Sequence, residues 1–233
     1  MHLVTNALVI RAADYKESDK ILTVLTDTRG LMTVKARGVR RKSSKNTPAA
    51  QLFAYSSMTL FEQSGRYTLD EAETLEQFAG VRSDLGKMAL ASYFAEVLGT
   101  EAEDNRIDPD VLRLALNCLY ALALPDAELK KLKAAFELRY AALAGYEPDL
   151  SRCDACRTRG GNALCEACRV SGLRNDGAAI GAVRYIAACD LRRLLKFSLT
   201  DEALSSLSVF AEHYLLACLE RGFKTLEFYR AVC

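Results

Sequence analysis

The chain has 233 residues, half of them hydrophobic, and its 31 lysines and arginines almost balance 30 aspartates and glutamates, giving a formal charge of +1. That length allows one large domain or two or three small ones with real cores, and the balance excludes a chain that is basic or acidic throughout, so any charged surface must be local. The opening MHLVTNALVIRAADYKESDK lacks the charged start, long apolar core and small-residue cleavage site of a signal peptide, and no run approaches the roughly 18 apolar residues of a membrane span, so a soluble, cytoplasmic protein is expected.

Residues 4–12, 19–27, 30–37, 50–62 and 65–78 are short segments rich in Val, Ile, Leu, Thr, Tyr and Phe. They are punctuated by Thr28-Arg29-Gly30, by the polar run after Gly38 and by Gln63-Ser64-Gly65. Five strands in so short a span predict a small barrel, and the oligonucleotide/oligosaccharide-binding (OB) barrel is the best-known five-stranded form.

The basic run RGLMTVKARGVRRKSSK, residues 29–45, falls inside this barrel and contains no acid. A polyanion binding there gains by releasing counterions, and Gly38 permits a backbone turn that a side chain would obstruct. Because the run joins two predicted strands on the usual ligand side of such a barrel, Lys35, Arg37, Arg40, Arg41, Lys42 and Lys45 are the candidate DNA-binding residues. A solvated loop is the plainer alternative. Phe53, Tyr55, Phe61 and Tyr67 could stack on bases, although period-two spacing places most such residues in a barrel core, and about one on an exposed face is expected.

From Val81 the period changes. VRSDLGKMALASYFAEVLGT, DPDVLRLALNCLYALAL and DAELKKLKAAFELRYAALAGY return apolar residues every three or four positions, predicting amphipathic helices of roughly 15–20 residues. Asp108 and Asp126 are candidate N-caps, with Pro109 and Pro125 near helix starts. Further helical stretches run over 178–195 and 200–221, the second opening on Thr200-Asp201-Glu202. The expected fold class is α+β: a five-stranded OB barrel over residues 1–80, then a mostly helical domain over 81–233 carrying an inserted cysteine module at 150–176.

That module reads CDACRTRGGNALCEAC, two Cys-x-x-Cys knuckles eight residues apart. In a reducing compartment such pairs are zinc ligands more readily than disulfides, and Cys153, Cys156, Cys165 and Cys168 would complete the tetrahedron of Zn²⁺. A redox pair or a degenerate metal site is the alternative. A catalytic zinc keeps one position open for water, which four thiolates would close, so the metal is expected to be structural. A nucleotide deaminase would need His-x-Glu or Cys-x-Glu upstream, and the histidines, His2 and His213, stand in no such setting. Phosphate loops, dinucleotide fingerprints, zincin motifs and nucleophile elbows are also missing from the sequence. Cys118, Cys189, Cys218 and Cys233 are scattered and read as buried or incidental thiols. The chain is read as a non-enzyme.

Three features together are similar to a known family. They are VIRAADYKESDKILTVLTDTRGLMTVKARGVRRKSS, with Asp14-Tyr15, Glu17, Asp19 and Ala36-Arg37-Gly38-Val39-Arg40; the Cys-x-x-Cys pairs following Gly145-Tyr146-Glu147-Pro148; and the tail LERGFKTLEFY. Over nearly its whole length the chain resembles the RecO family of DNA repair proteins, recombination mediators of the RecFOR pathway. The resemblance implies an N-terminal OB domain, a helical domain and a zinc module. It also implies binding of single- and double-stranded DNA, annealing of complementary strands, and work with RecR to load RecA onto DNA covered by single-strand-binding protein, which would dock on the helical body. A zinc-stabilised interaction scaffold without DNA activity, using grooves beside Tyr93-Phe94 or Phe136-Tyr140, is the other reading.

Overall fold

The five apolar-rich segments form strands β1 (His2–Tyr15), β2 (Asp19–Thr26), β3 (Gly30–Ala36), β4 (Tyr55–Gln63) and β5 (Arg66–Glu76). The structure, a computed structural model, describes residues 1–100, 108–148, 150, 163–173 and 176–233, and these divide into two compact units, Met1–Leu112 and Arg113–Cys233.

The strands close into a barrel in the order β1-β2-β3-β5-β4. Alternate side chains point inward, and Ala7, Val9, Leu22, Val24, Met58 and Leu60 fill the interior. Strand β1 serves two neighbours: residues 2–8 pair with β4 and residues 7–15 with β2. Its register shifts between Val9 and Arg11, leaving Ile10 as the extra residue at which so long a strand can bend. Closure rests on a short parallel contact, Val34 opposite Tyr67 and Lys35 opposite Thr68.

Beyond that contact β5 has lost its β3 neighbour, and a side chain takes over. Leu69 faces Leu60 and Glu71 faces Thr59, so Asp70 is the extra residue of a second bulge. The Asn46 amide donates to the Asp70 carbonyl at 2.9 Å, while its Oδ1 accepts from the Ala72 N–H at 3.2 Å. One difference from the sequence reading lies at 50–54, expected as the start of a strand. Pro48–Ala50 form a short 3-10 helix with Ala49 and Ala50 buried, and β4 begins only at Tyr55. Pro48 can open such a turn because it has no N–H to leave unsatisfied.

Seven α-helices follow among the described residues: α1 (Leu85–Leu98), α2 (Pro109–Ala123), α3 (Leu129–Leu143), α4 (Ala163–Ser171), α5 (Gly177–Ala188), α6 (Asp201–Cys218) and α7 (Lys224–Val232). Helix α1 lies within the first unit, capped by Asp84, whose carboxylate accepts from the Lys87 N–H at 2.8 Å. Asp108 accepts from the Asp110 N–H at 2.8 Å, as expected of a cap. Asp126 does not cap α3, which starts later with Glu128 at the cap position. The stretch 178–195 breaks after Ala188, where Asp190 caps a separate 3-10 turn, Leu191–Arg193. Helix α4 covers the second cysteine pair, so this Cys-x-x-Cys knuckle lies on a helix. No described helix is long and apolar enough to cross a membrane.

In the second unit α6 packs against α3, α4 and α5, burying Phe136, Tyr140, Ile186, Leu207, Phe210 and Leu215. Tyr93 and Phe94 are also buried, in the first unit, so the aromatic pairs considered as groove walls are core residues. A buried ionic cluster crosses the second unit. Lys133 Nζ lies 2.8 Å from Glu137 Oε1, one turn along α3, and 2.6 Å from Glu212 Oε2 on α6. Glu212 also pairs with Arg230 on α7. Burial alone would raise the Glu212 pKa, but Lys133 and Arg230 outweigh it and hold the carboxyl below its ordinary value of 4.5.

Lys133→Met should destabilise the protein by about 3–5 kcal/mol in urea denaturation, because Glu137 and Glu212 lose the cation between them. The folded Glu212 pKa is depressed, so the cluster's contribution is present above 4.5 and is lost as pH falls through the folded value. The gap between wild type and variant should therefore narrow in acid.

Candidate nucleic-acid interface

Strand β3 ends at Ala36, and the next residues run through consecutive turns to the 3-10 helix at Pro48. This basic segment is anchored at several points. Gly38 adopts φ +63°, the left-handed region that favours glycine, and its N–H donates to Asp19 Oδ1 at 2.8 Å. The Val39 side chain is buried in the barrel core. The Arg40 N–H donates to the Ser18 carbonyl at 3.0 Å, tying the loop to the β1–β2 turn. The Thr47 hydroxyl donates to the Val39 carbonyl at 2.7 Å, and Asn46 stitches the end of the loop to β5. Cations on a backbone held in this way are pre-organised, so less ordering opposes ligand binding.

The six candidate cations fall into two groups. Lys35 points outward from β3 with Nζ 3.3 Å from Asp19 Oδ2, and Arg40 Nη2 lies 3.2 Å from Asp14 Oδ2. Both therefore have a carboxylate beside them. Arg37, Arg41, Lys42 and Lys45 are exposed, and their side chains form no ion pair or hydrogen bond among the described residues. The sequence reading missed an adjoining feature. An open cleft of about 540 Å³ is lined by Asp14, Lys20, Arg40 and Arg82, with Val39 and Leu52 supplying apolar wall. Arg82, outside the basic run, is held there by donating to the Leu52 carbonyl at 2.6 Å and the Gln77 carbonyl at 2.9 Å.

The aromatic candidates separate as well. Phe53 is buried and Tyr67 packs against the barrel core, while Tyr55 is half-buried. Phe61 is 39% exposed on β4, but its neighbour is His2, at 5.4 Å between ring centroids, whose Nδ1 lies 3.7 Å from Asp70 Oδ2. Of the cysteines, Cys153 and Cys156 lie outside the described residues. Cys165 falls in α4, and Cys168 follows three residues later on the same helix, fully buried. Among the described residues no group of three or more metal-binding side chains occurs.

Comparison with known proteins covers nearly the whole chain. Residues 1–78 match the family model for the Recombination protein O N terminal domain and residues 82–227 that for the C terminal domain. The chain is 26% identical to the DNA repair protein RecO of Acetivibrio thermocellus, over 99% of this chain and 97% of that protein. It is 29% identical to the protein of the same name from Symbiobacterium thermophilum, over 96% and 94% of the two chains. The corresponding protein of Halalkalibacterium halodurans is also 29% identical, over 89% and 86%.

Asp19 is the hinge of the local electrostatics. The Gly38 N–H is the main influence holding its carboxyl below the ordinary value of 3.8, and Lys35 adds to it against a smaller opposing effect of burial. Asp19→Asn should lower the thermal midpoint at neutral pH by loosening the basic loop. Because the folded pKa is depressed, this contribution is fully present above 3.8 and fades as pH falls through the folded value. Thermal melts across that acid range should show the two proteins converging; a constant gap would assign the loss to packing instead.

Proposed function

The chain belongs to the recombination protein O (RecO) family, and on that premise we propose that it is a non-enzymatic, DNA-binding recombination mediator of DNA repair. The observation that carries this reading is the anchored loop with four uncompensated cations, Arg37, Arg41, Lys42 and Lys45, on the barrel. We read the barrel as an OB barrel: five strands closed by the parallel β3–β5 contact, with the β3–β4 connection carrying the charge. Phosphates bind there by displacing counterions, and base identity matters little. No covalent step is required. Lowering the charge of two bound strands reduces their repulsion, which favours annealing.

The wider reading follows the family. The protein binds single- and double-stranded DNA, anneals complementary strands, and with RecR helps RecA onto DNA covered by single-strand-binding protein. Its place of work is then the bacterial cytoplasm, at the nucleoid. A structural Zn²⁺ held by Cys153, Cys156, Cys165 and Cys168 belongs to the same proposal. Its support is the donor set, four thiolates that close the shell of a structural zinc, together with the burial of Cys168 on α4. The metal would act as a cross-link and take no part in DNA chemistry.

Two measurements test these statements. Arg37→Glu with Arg41→Glu should lower single-stranded DNA affinity by tenfold or more, and should flatten the dependence of binding on salt by about two units of log–log slope. The far-ultraviolet circular dichroism should not change. Unaltered binding would remove the loop from the site, and a wild-type protein that binds no DNA would favour the scaffold reading. Metal analysis of the purified protein should find about one zinc per chain. Chelation should lower the thermal midpoint while the protein that remains folded keeps its DNA affinity.

A further inference from the structure

Besides Phe61, one large aromatic on the barrel stands well exposed, and the sequence reading did not consider it for stacking. Tyr15 ends β1 and is 42% exposed. The Lys35 ammonium lies 5.0 Å from its ring centroid and the Lys16 ammonium 5.6 Å. Cross-strand register explains the gathering. Tyr15 pairs with Asp19, Asp19 holds Lys35 at 3.3 Å, and Lys35 is the β3 residue that faces Thr68 across the closing contact. Asp19 also takes the Gly38 N–H, so the ring stands where β1, β3 and the start of the basic loop meet. Lys16 sits in the β1–β2 turn at φ +56°, one residue beyond the ring.

An exposed phenol ring brings water into contact with a large apolar face, and two ammonium groups beside it attract anions. A nucleotide satisfies both: its base covers the ring and its phosphates reach the lysines. A peptide carboxylate would use the lysines but leave the ring bare. Phe61 supplies a contrast on the same barrel. It is similarly exposed, but its neighbour is His2, paired with Asp70, and no lysine or arginine stands over its ring among the described residues.

We propose that Tyr15 is a base-stacking platform for single-stranded nucleic acid, with Lys16 and Lys35 receiving the phosphates on either side of the stacked base. This rests on the DNA-binding reading above and names a residue for it. Stacking tolerates any base, because each has a π-face. The site therefore favours unpaired strands over duplex, whose bases are already stacked on each other.

The test compares two single-stranded oligonucleotides of equal length and charge, one of ordinary bases and one of abasic sugars, against wild type, Tyr15→Ala, Tyr15→Phe and Phe61→Ala. Wild type should bind the base-bearing strand more tightly by about tenfold or more, the range of one stacked base. Tyr15→Ala should lose most of that preference while its affinity for the abasic strand changes little. Tyr15→Phe should keep the preference, and Phe61→Ala should resemble wild type. Thermal melts check that each variant is folded. A preference that survives in folded Tyr15→Ala, or that falls equally in Phe61→Ala, would overturn the assignment while leaving the DNA-binding reading intact. Wild type that binds neither strand would overturn both.

Discussion

Closing a five-stranded barrel with β5 between β3 and β4 forces the chain to leave β3 and travel past β5 before it can re-enter as β4. The connection, residues 37–54, cannot be a tight hairpin. It has to be long, and a long connection in a small domain must either find its own anchors or remain loose. Here Val39, Ala49, Ala50, Phe53 and Ala54 are buried, and its cations are left on the outside. The candidate interface is thus a by-product of topology: the crossing that completes the barrel is also the segment that carries the charge. Asn46 shows how tightly the two are linked, since its amide supplies hydrogen bonds that β5 would otherwise take from a strand neighbour.

Much of this was legible in the sequence, for reasons that can be named. Period-two alternation is local, so β1, β2, β3 and β5 stood close to where they were expected, and the change of period at Val81 announced the helices. The segment at 50–54 was misplaced because its apolar residues suit both a strand and a buried crossing, and only the strand order decides between them. The basic run was visible as composition. What could not be read was which cations keep their charge free. Asp14 and Asp19 lie 26 and 16 residues before Arg40 and Lys35, and only the β1–β2–β3 register brings them together. Tyr15 was missed for the same reason, as its lysine neighbour Lys35 comes from another strand. The Cys165–Cys168 spacing fits a turn of helix as well as a knuckle, and the buried cluster around Lys133 resembles an ordinary surface pair at i and i+4 until Glu212 and Arg230 are seen beside it.

The two units use one electrostatic device under different conditions. In each, a carboxylate accepts from partners contributed by segments far apart in the chain: Asp19 from Gly38 and Lys35, Glu212 from Lys133 and Arg230. Around Lys133 the burial is deep, and removing that cation takes it from two carboxylates at once, so the cluster fixes how α3, α6 and α7 come together more than it adds net stability. The pairs of the barrel stand closer to solvent, where salt screens them and their worth is small. They can therefore open when a stronger anion arrives.

That difference bears on how the interface should respond to ionic strength. When a phosphate meets Arg37, Arg41, Lys42 or Lys45, it displaces small ions, and salt opposes the exchange in the usual way. When it meets Lys35 or Arg40, it first displaces Asp19 or Asp14, a carboxylate tethered to the same barrel. Exchanging one fixed anion for another releases fewer small ions, so these two contacts contribute less to the salt dependence than their number suggests. They contribute more to selectivity, because only a ligand placed well enough to outcompete a tethered carboxylate can use them. Asp14 and Asp19 thus belong to the candidate interface: they tie Arg40, Lys35 and the Gly38 N–H to the barrel, and under the proposed reading they set the threshold that a polyanion must exceed to engage the cations nearest Tyr15.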